Sequence, residues 1–148
     1  MRNNHSLLLS LMLATITLFS CKKDSGNQPP ATNHTIQGLW VGTYTVGTGS
    51  SVPPGTSFFF SFSIYTDGTA SYKSKGFYNG SYDYITFANG AWTLTGTQFS
   101  FTVTTVNIAG GGSQQTQSGT ATFNSSAGTL TGGTFVGNSA TWTMTKVN

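Results

Sequence analysis

Residues 57 to 72, SFFFSFSIYTDGTASY, set Phe58, Phe60, Phe62 and Ile64 on one register of a two-residue repeat and Ser61 and Ser63 on the other. That period belongs to an extended chain with one face buried and one face wet. From Ile36 to Val147 the same alternation recurs and no stretch carries a 3.6-residue apolar period, so this part of the chain is expected to be all β. Strands are predicted at 39–46, 57–66, 69–75, 90–95, 98–107, 117–124, 128–136 and 139–147, with Asp67-Gly68 as a type I′ hairpin turn. The inward register then holds Phe58, Phe60, Phe62, Ile64, Trp92, Leu94, Phe99, Phe101, Val103, Phe123, Leu130, Trp142 and Met144. Thr93, Thr95, Thr102, Thr141, Thr143 and Thr145 face out, and a bulge at Gly132-Gly133 turns Phe135 inward. One closed interior buries all these rows, and the expected fold is an eight-stranded antiparallel up-and-down barrel.

Charge is scarce. The chain has 148 residues, enough for one domain, and only 6% of them are Asp, Glu, Lys or Arg. After residue 35 three lysines (Lys73, Lys75, Lys146) face two aspartates (Asp67, Asp83), a net charge of +1. Nucleic acid is not an expected partner, because counterion release requires clustered Lys and Arg. This region also lacks histidine, cysteine and glutamate. Asp67 belongs to its turn, Asp83 has no acid–base partner in the sequence, and the histidines, His5 and His34, precede the barrel. The sequence therefore predicts no enzyme, no metal site and no cofactor.

The first residues read differently. MRNNHSLLLSLMLATITLFSC has a basic residue at Arg2 and an apolar run from Leu7 to Phe19, the arrangement of an export signal. Its end, Leu18-Phe19-Ser20-Cys21, resembles the lipobox of bacterial lipoproteins, which implies removal of residues 1–20 and lipidation of Cys21, the one cysteine in the chain. Two or three acyl chains at ~0.8 kcal/mol per buried methylene hold a protein to a membrane durably. Lys22 stands where an Asp would resemble an inner-membrane retention signal, so the expected location is the outer membrane. Residues 21–35 read as the lipidated cysteine and a polar tether, with a flexible-coil reach of ~20 Å. The folded domain is expected at 36–148.

Within that domain Gly38-Leu39-Trp40 resembles the G-x-W signature of the lipocalins. The order GLWVGTY, DGT, GAWTLTG, GTLTGG and a final Trp142-x-Met144-x-Lys146 is similar to lipocalin-like domains of small bacterial lipoproteins. The resemblance implies an eight-stranded barrel that holds a small apolar or amphipathic ligand, with Trp40 at its closed end under Lys146. Trp40 opens the first strand and Lys146 ends the last, so closure brings them together.

Turn lengths point the same way. Asp67-Gly68, Gly96-Thr97 and Ser125-Ser126-Ala127 are short and fall at the Trp40 end, whereas the connections 47–56, 76–89 and 108–116 fall at the other and form a mouth. The aromatic group Phe77, Tyr78, Tyr82, Tyr84 and Phe87, with Asp83, is the candidate binding surface there, suited to a sugar face or to the entrance for an acyl chain. Alternatively 81–87 is an edge strand covering the core, or a ninth strand. Two functions stay open: a lipid-anchored, monomeric binding module, or a structural domain with a filled core that contacts a glycan or another envelope protein.

Overall fold

The structure, a computed structural model, describes residues 33–50, 52–78, 81–107 and 114–148, except for the side chains of residues 77–78, 81–84 and 107. The leader, Cys21 and most of the expected tether lie outside the described residues. Eight strands follow one another: β1 (Gly38–Thr45), β2 (Ser57–Ile64), β3 (Thr69–Tyr78), β4 (Ser81–Thr95), β5 (Gln98–Asn107), β6 (Gln114–Asn124), β7 (Thr129–Phe135) and β8 (Thr141–Lys146). Each pairs antiparallel with its neighbours in sequence, and β1 also pairs with β8, which closes the barrel in the lipocalin-like up-and-down topology. Closure gives every strand two neighbours. Among the described residues there is no helix.

Alternation decides which side chains enter. Phe60, Phe62 and Ile64 of β2, Phe99, Phe101 and Val103 of β5, and Trp142 and Met144 of β8 are buried in one cluster with Trp40 and Leu130. Thr141, Thr143 and Thr145 between them are exposed. The rings meet mostly edge to face, with Phe60 at 5.7 Å from Trp142, Phe62 at 4.9 Å from Phe101 and Trp40 at 5.8 Å from Phe123. Edge-to-face contact matches the positive rim of one ring to the negative face of the next.

The expected bulge is present in β7. Leu130 pairs with Met144 but Gly133 pairs with Trp142, so β7 carries one extra residue, and the β6 ladder shows the same shift between Thr120 and Thr122. Gly132 takes a φ of +63° at this point. The extra residue inverts the register, which is how Leu130 and Phe135, five positions apart, both come to be buried.

Two expectations require correction. Residues 76–89 are not a long connection: β3 runs to Tyr78 and β4 starts at Ser81, so 81–87 forms the first part of β4 and is not a ninth strand. Lys75 pairs with Ile85 and Lys73 with Phe87, and the β-favouring rings of this run are accommodated by lengthening the hairpin. The Asp67-Gly68 turn, expected as a two-residue loop, spans Thr66 to Gly68, with Tyr65 N–H donating to the Thr69 carbonyl at 3.0 Å. Gly68 adopts a φ of +83°, the left-handed position of a three-residue hairpin loop.

The end holding Trp40 is shut. The Trp40 indole is fully buried and donates from Nε1 to the Ile36 carbonyl at 2.7 Å. His34 N–H donates to the Ser125 carbonyl in the β6–β7 turn, so residues 33–36 cross this end and Ile36 joins the core. Lys146 faces Trp40 across the β1–β8 seam, as strand parity requires. Its ammonium, however, is bonded to the Thr35 carbonyl at 2.7 Å and the Thr35 hydroxyl at 3.0 Å, so it secures the crossing segment instead of capping the indole.

Candidate functional site

The opposite end of the barrel is hollow. A cup of about 430 Å³ opens there, within the size range of small-molecule pockets. It exists because the inward register changes chemistry along each strand. On β5 the sequence of inward residues runs Phe99, Phe101, Val103 and then Thr105; on β6, read from the closed end, it runs Phe123, Ala121, Gly119 and then Gln117 and Gln115. β3 passes from Ala70 through Tyr72 to Ser74, and β4 contributes Ala88 and then Thr86. Rings and methyls fill the lower part, and hydroxyls and carboxamides line the upper.

Aromatic side chains form the floor. Tyr44, Phe60, Tyr72 and Phe135 line the cup, with Phe60 at 5.2 Å from Tyr72 and 5.7 Å from Phe135. Beneath them Trp142 lies 6.4 Å from Phe135 and 6.0 Å from Phe101, so the floor rests on packed rings. Nε1 of Trp142 is buried and meets no hydrogen-bond acceptor among the described residues.

The polar wall is internally fixed. The Tyr72 hydroxyl, on β3, donates to Oε1 of Gln117, on β6, across the cup. The Thr105 hydroxyl donates to the Gln115 carbonyl at 3.0 Å, and Oδ1 of Asn138 accepts from Ala140 N–H at 2.8 Å. One accepted bond leaves each amide oxygen a second lone pair, so Gln117 and Asn138 can both donate and accept. None of the described residues that line the cup is charged.

The site residues expected from sequence are distributed as follows. Phe87 is on the outer wall, 39% exposed, with the Lys73 ammonium 5.5 Å from its ring centroid, and it does not line the cup. Phe77, Tyr78, Tyr82, Asp83 and Tyr84 sit in the β3–β4 hairpin by backbone, and their side chains lie outside the described residues, as does Cys21. Trp40 and Lys146 are at the closed end, remote in register from the cup. The residues sequence reasoning passed over are Tyr72, Thr105, Gln115, Gln117 and Asn138. Their signal was available: on β3, β5 and β6 the inward register turns polar toward the same end.

Asp67 belongs to the closed end. It holds its turn through Oδ1, which accepts from the Thr69 hydroxyl at 2.6 Å and from Thr69 N–H at 2.9 Å. These bonds, the hydroxyl first, keep its carboxyl below the usual aspartate range. No group of three His, Cys, Asp or Glu that could hold a metal ion occurs among the described residues. Comparison of the chain with protein-family models, with curated proteins and with solved structures gives no match.

Proposed function

We propose that this protein is a non-catalytic binding module held at the outer membrane by lipid on Cys21, and that its barrel receives a small ligand in the cup at its open end. The observation that carries the reading is the coexistence in one barrel of a filled lower core and a pre-formed cup of about 430 Å³ whose lining is partly aromatic and partly polar. Support for the anchor comes from the leader and its lipobox-like end. The lipocalin-like topology supports the mouth as the working end, since small barrels bind guests where their side chains stop filling them.

The lining favours an amphipathic guest over a wholly apolar one. An apolar guest would strip water from Thr105, Gln115 and Gln117 without replacing its hydrogen bonds, at ~1 to 3 kcal/mol for each group. The packed rings below the floor favour the second reading, a structural domain with a filled core, and the two separate in one experiment. Amide chemical shifts of the isotopically labelled chain are followed during titration with a panel of small amphipathic molecules. Shifts confined to the cup residues Thr105, Gln115, Gln117 and Asn138 are expected for the binding module. No response up to millimolar concentration gives the structural reading instead.

A further inference from the structure

We infer that the cup is a carbohydrate subsite, taking a neutral sugar ring with its C–H face on the aromatic floor and its hydroxyls against the polar wall. This inference rests on the reading of the cup as a binding site and names the class of its ligand.

Three features of the lining select the ligand. The first is charge. The described lining residues offer no cation for a carboxylate or phosphate and no anion for an amine, and a charged group entering this half-enclosed space would lose hydration without a partner. The described lining thus favours a neutral ligand. The second is the chemistry of the wall, where Ser74, Thr86 and Thr105 bring hydroxyls and Gln115, Gln117 and Asn138 bring carboxamides. Hydroxyls and carboxamides both donate and accept, and so does each hydroxyl of a sugar, so the two sets can satisfy one another group for group. A fatty alcohol or other chain with a single polar end leaves most of the wall unpaired, and polar sites discriminate strongly against ligands that leave their groups unpaired.

The third feature is depth. An acyl chain needs a long apolar channel, and the ring packing of Phe60, Phe135 and Trp142 blocks the way down. What remains is a shallow seat with an aromatic base. A pyranose has the matching shape, since its axial C–H groups make one face apolar while its hydroxyls radiate from the rim, and aromatic residues that bury an apolar body beside a polar edge suit such a guest. The seat is also pre-organised. The Tyr72–Gln117 bond spans the barrel from β3 to β6, and Asn138 is fixed by its bond to Ala140 N–H, so little side-chain freedom is lost on binding.

The test uses the full chain in lipid nanodiscs and three kinds of probe: the neutral disaccharides maltose, cellobiose and N,N′-diacetylchitobiose; palmitate; and 1-decanol. Binding is read by calorimetry and by amide shifts. The inference requires at least one disaccharide to bind with shifts at Thr105, Gln115, Gln117 and Asn138, and palmitate and decanol to leave those residues unmoved. It also requires Gln117→Leu to weaken the sugar by about tenfold or more. Because Gln117→Leu disturbs the Tyr72 bond, Thr86→Val, which keeps side-chain shape and removes a hydroxyl of the lining, serves as the second variant and should weaken the sugar several-fold with a melting temperature close to the parent's. If palmitate or decanol moves the cup residues and no sugar does, the carbohydrate inference fails while the binding reading survives. If no probe moves them, both fail. Sugar-induced shifts confined to the outer wall around Lys73 and Phe87, or sugar affinity indifferent to both substitutions, would also overturn it.

Discussion

Trp142 lies against Gly133 so closely that a Cβ on the glycine would enter the six-membered ring of the indole. The bulge in β7 exists at this place, and the absent side chain is what lets the indole reach the centre of the barrel. Gly133→Ala should therefore destabilise by overpacking, by about 1 to 3 kcal/mol or somewhat more, in urea denaturation. Pairing it with Trp142→Phe, which shortens the ring, should recover part of that loss. A Gly133→Ala chain as stable as the parent would mean that the indole moves aside freely.

The two deeply buried indoles should differ in their response to the same change. Trp40→Phe removes a made bond and leaves the Ile36 carbonyl unpaired, whereas Trp142→Phe removes a donor that has no acceptor among the described residues. Trp40→Phe should cost more by about 1 to 2 kcal/mol, and Trp40→Ala should reach about 3 to 5 kcal/mol. Lys146→Met, which loses only bonds to Thr35 at the surface, should cost about 1 kcal/mol. Equal losses for the two Trp→Phe variants in denaturation experiments would remove the Ile36 bond from the account of closure.

Asp67 gives a pH signature. A carboxyl whose value falls on folding contributes stability that is present above its unfolded value, near 3.8, and is lost as pH drops through the lower folded value. Asp67→Asn keeps an acceptor for both Thr69 donors but cannot titrate. The parent should be the more stable of the two at neutral pH, because bonds to a charged acceptor are stronger. The gap should close below about pH 4 in thermal melts. Parallel curves for the two proteins across the acid range would remove Asp67 from the acid response.

The anchor is testable apart from the barrel. In a Gram-negative host the mature chain should begin at an acylated Cys21 by mass spectrometry, and Cys21→Ala should leave the membrane fraction. Lys22→Asp should retain the protein at the inner membrane. A mature chain whose cysteine is an unmodified thiol would defeat the anchoring proposal.

How far the sequence carried these conclusions can be judged at particular residues. The row Phe58, Phe60, Phe62 and Ile64 was legible because a two-residue period needs no partner to be recognised, and each of these side chains is buried. The bulge was legible too, since Leu130 and Phe135 have opposite parity and two glycines lie between them. The length of the β3–β4 hairpin was not. Asn79, Gly80 and Asp83 read as loop residues, while the pairing of Lys73 with Phe87 and Lys75 with Ile85 that prolongs both strands is a tertiary fact. The cup was missed for a different reason: searching the inward register for apolar residues identifies where a barrel is filled and passes over Thr105, Gln115 and Gln117, where it is not. Lys146 was placed opposite Trp40 correctly, but the destination of its ammonium depended on Thr35, in a stretch whose polar composition reads as tether.

The chain enters the barrel across the shut end, with His34 bonded to the β6–β7 turn and Thr35 to Lys146. The cup is at the far end of the strands, and a ten-residue strand such as β5, rising ~3.3 Å per residue and tilted by roughly 40°, sets the two ends about 25 Å apart. The opening thus lies at the end of the barrel opposite the segment that leads into β1, and none of residues 33–36 lines the cup. Changes to residues 33–36 should therefore be felt in the stability of the shut end and leave the shape of the cup as it is.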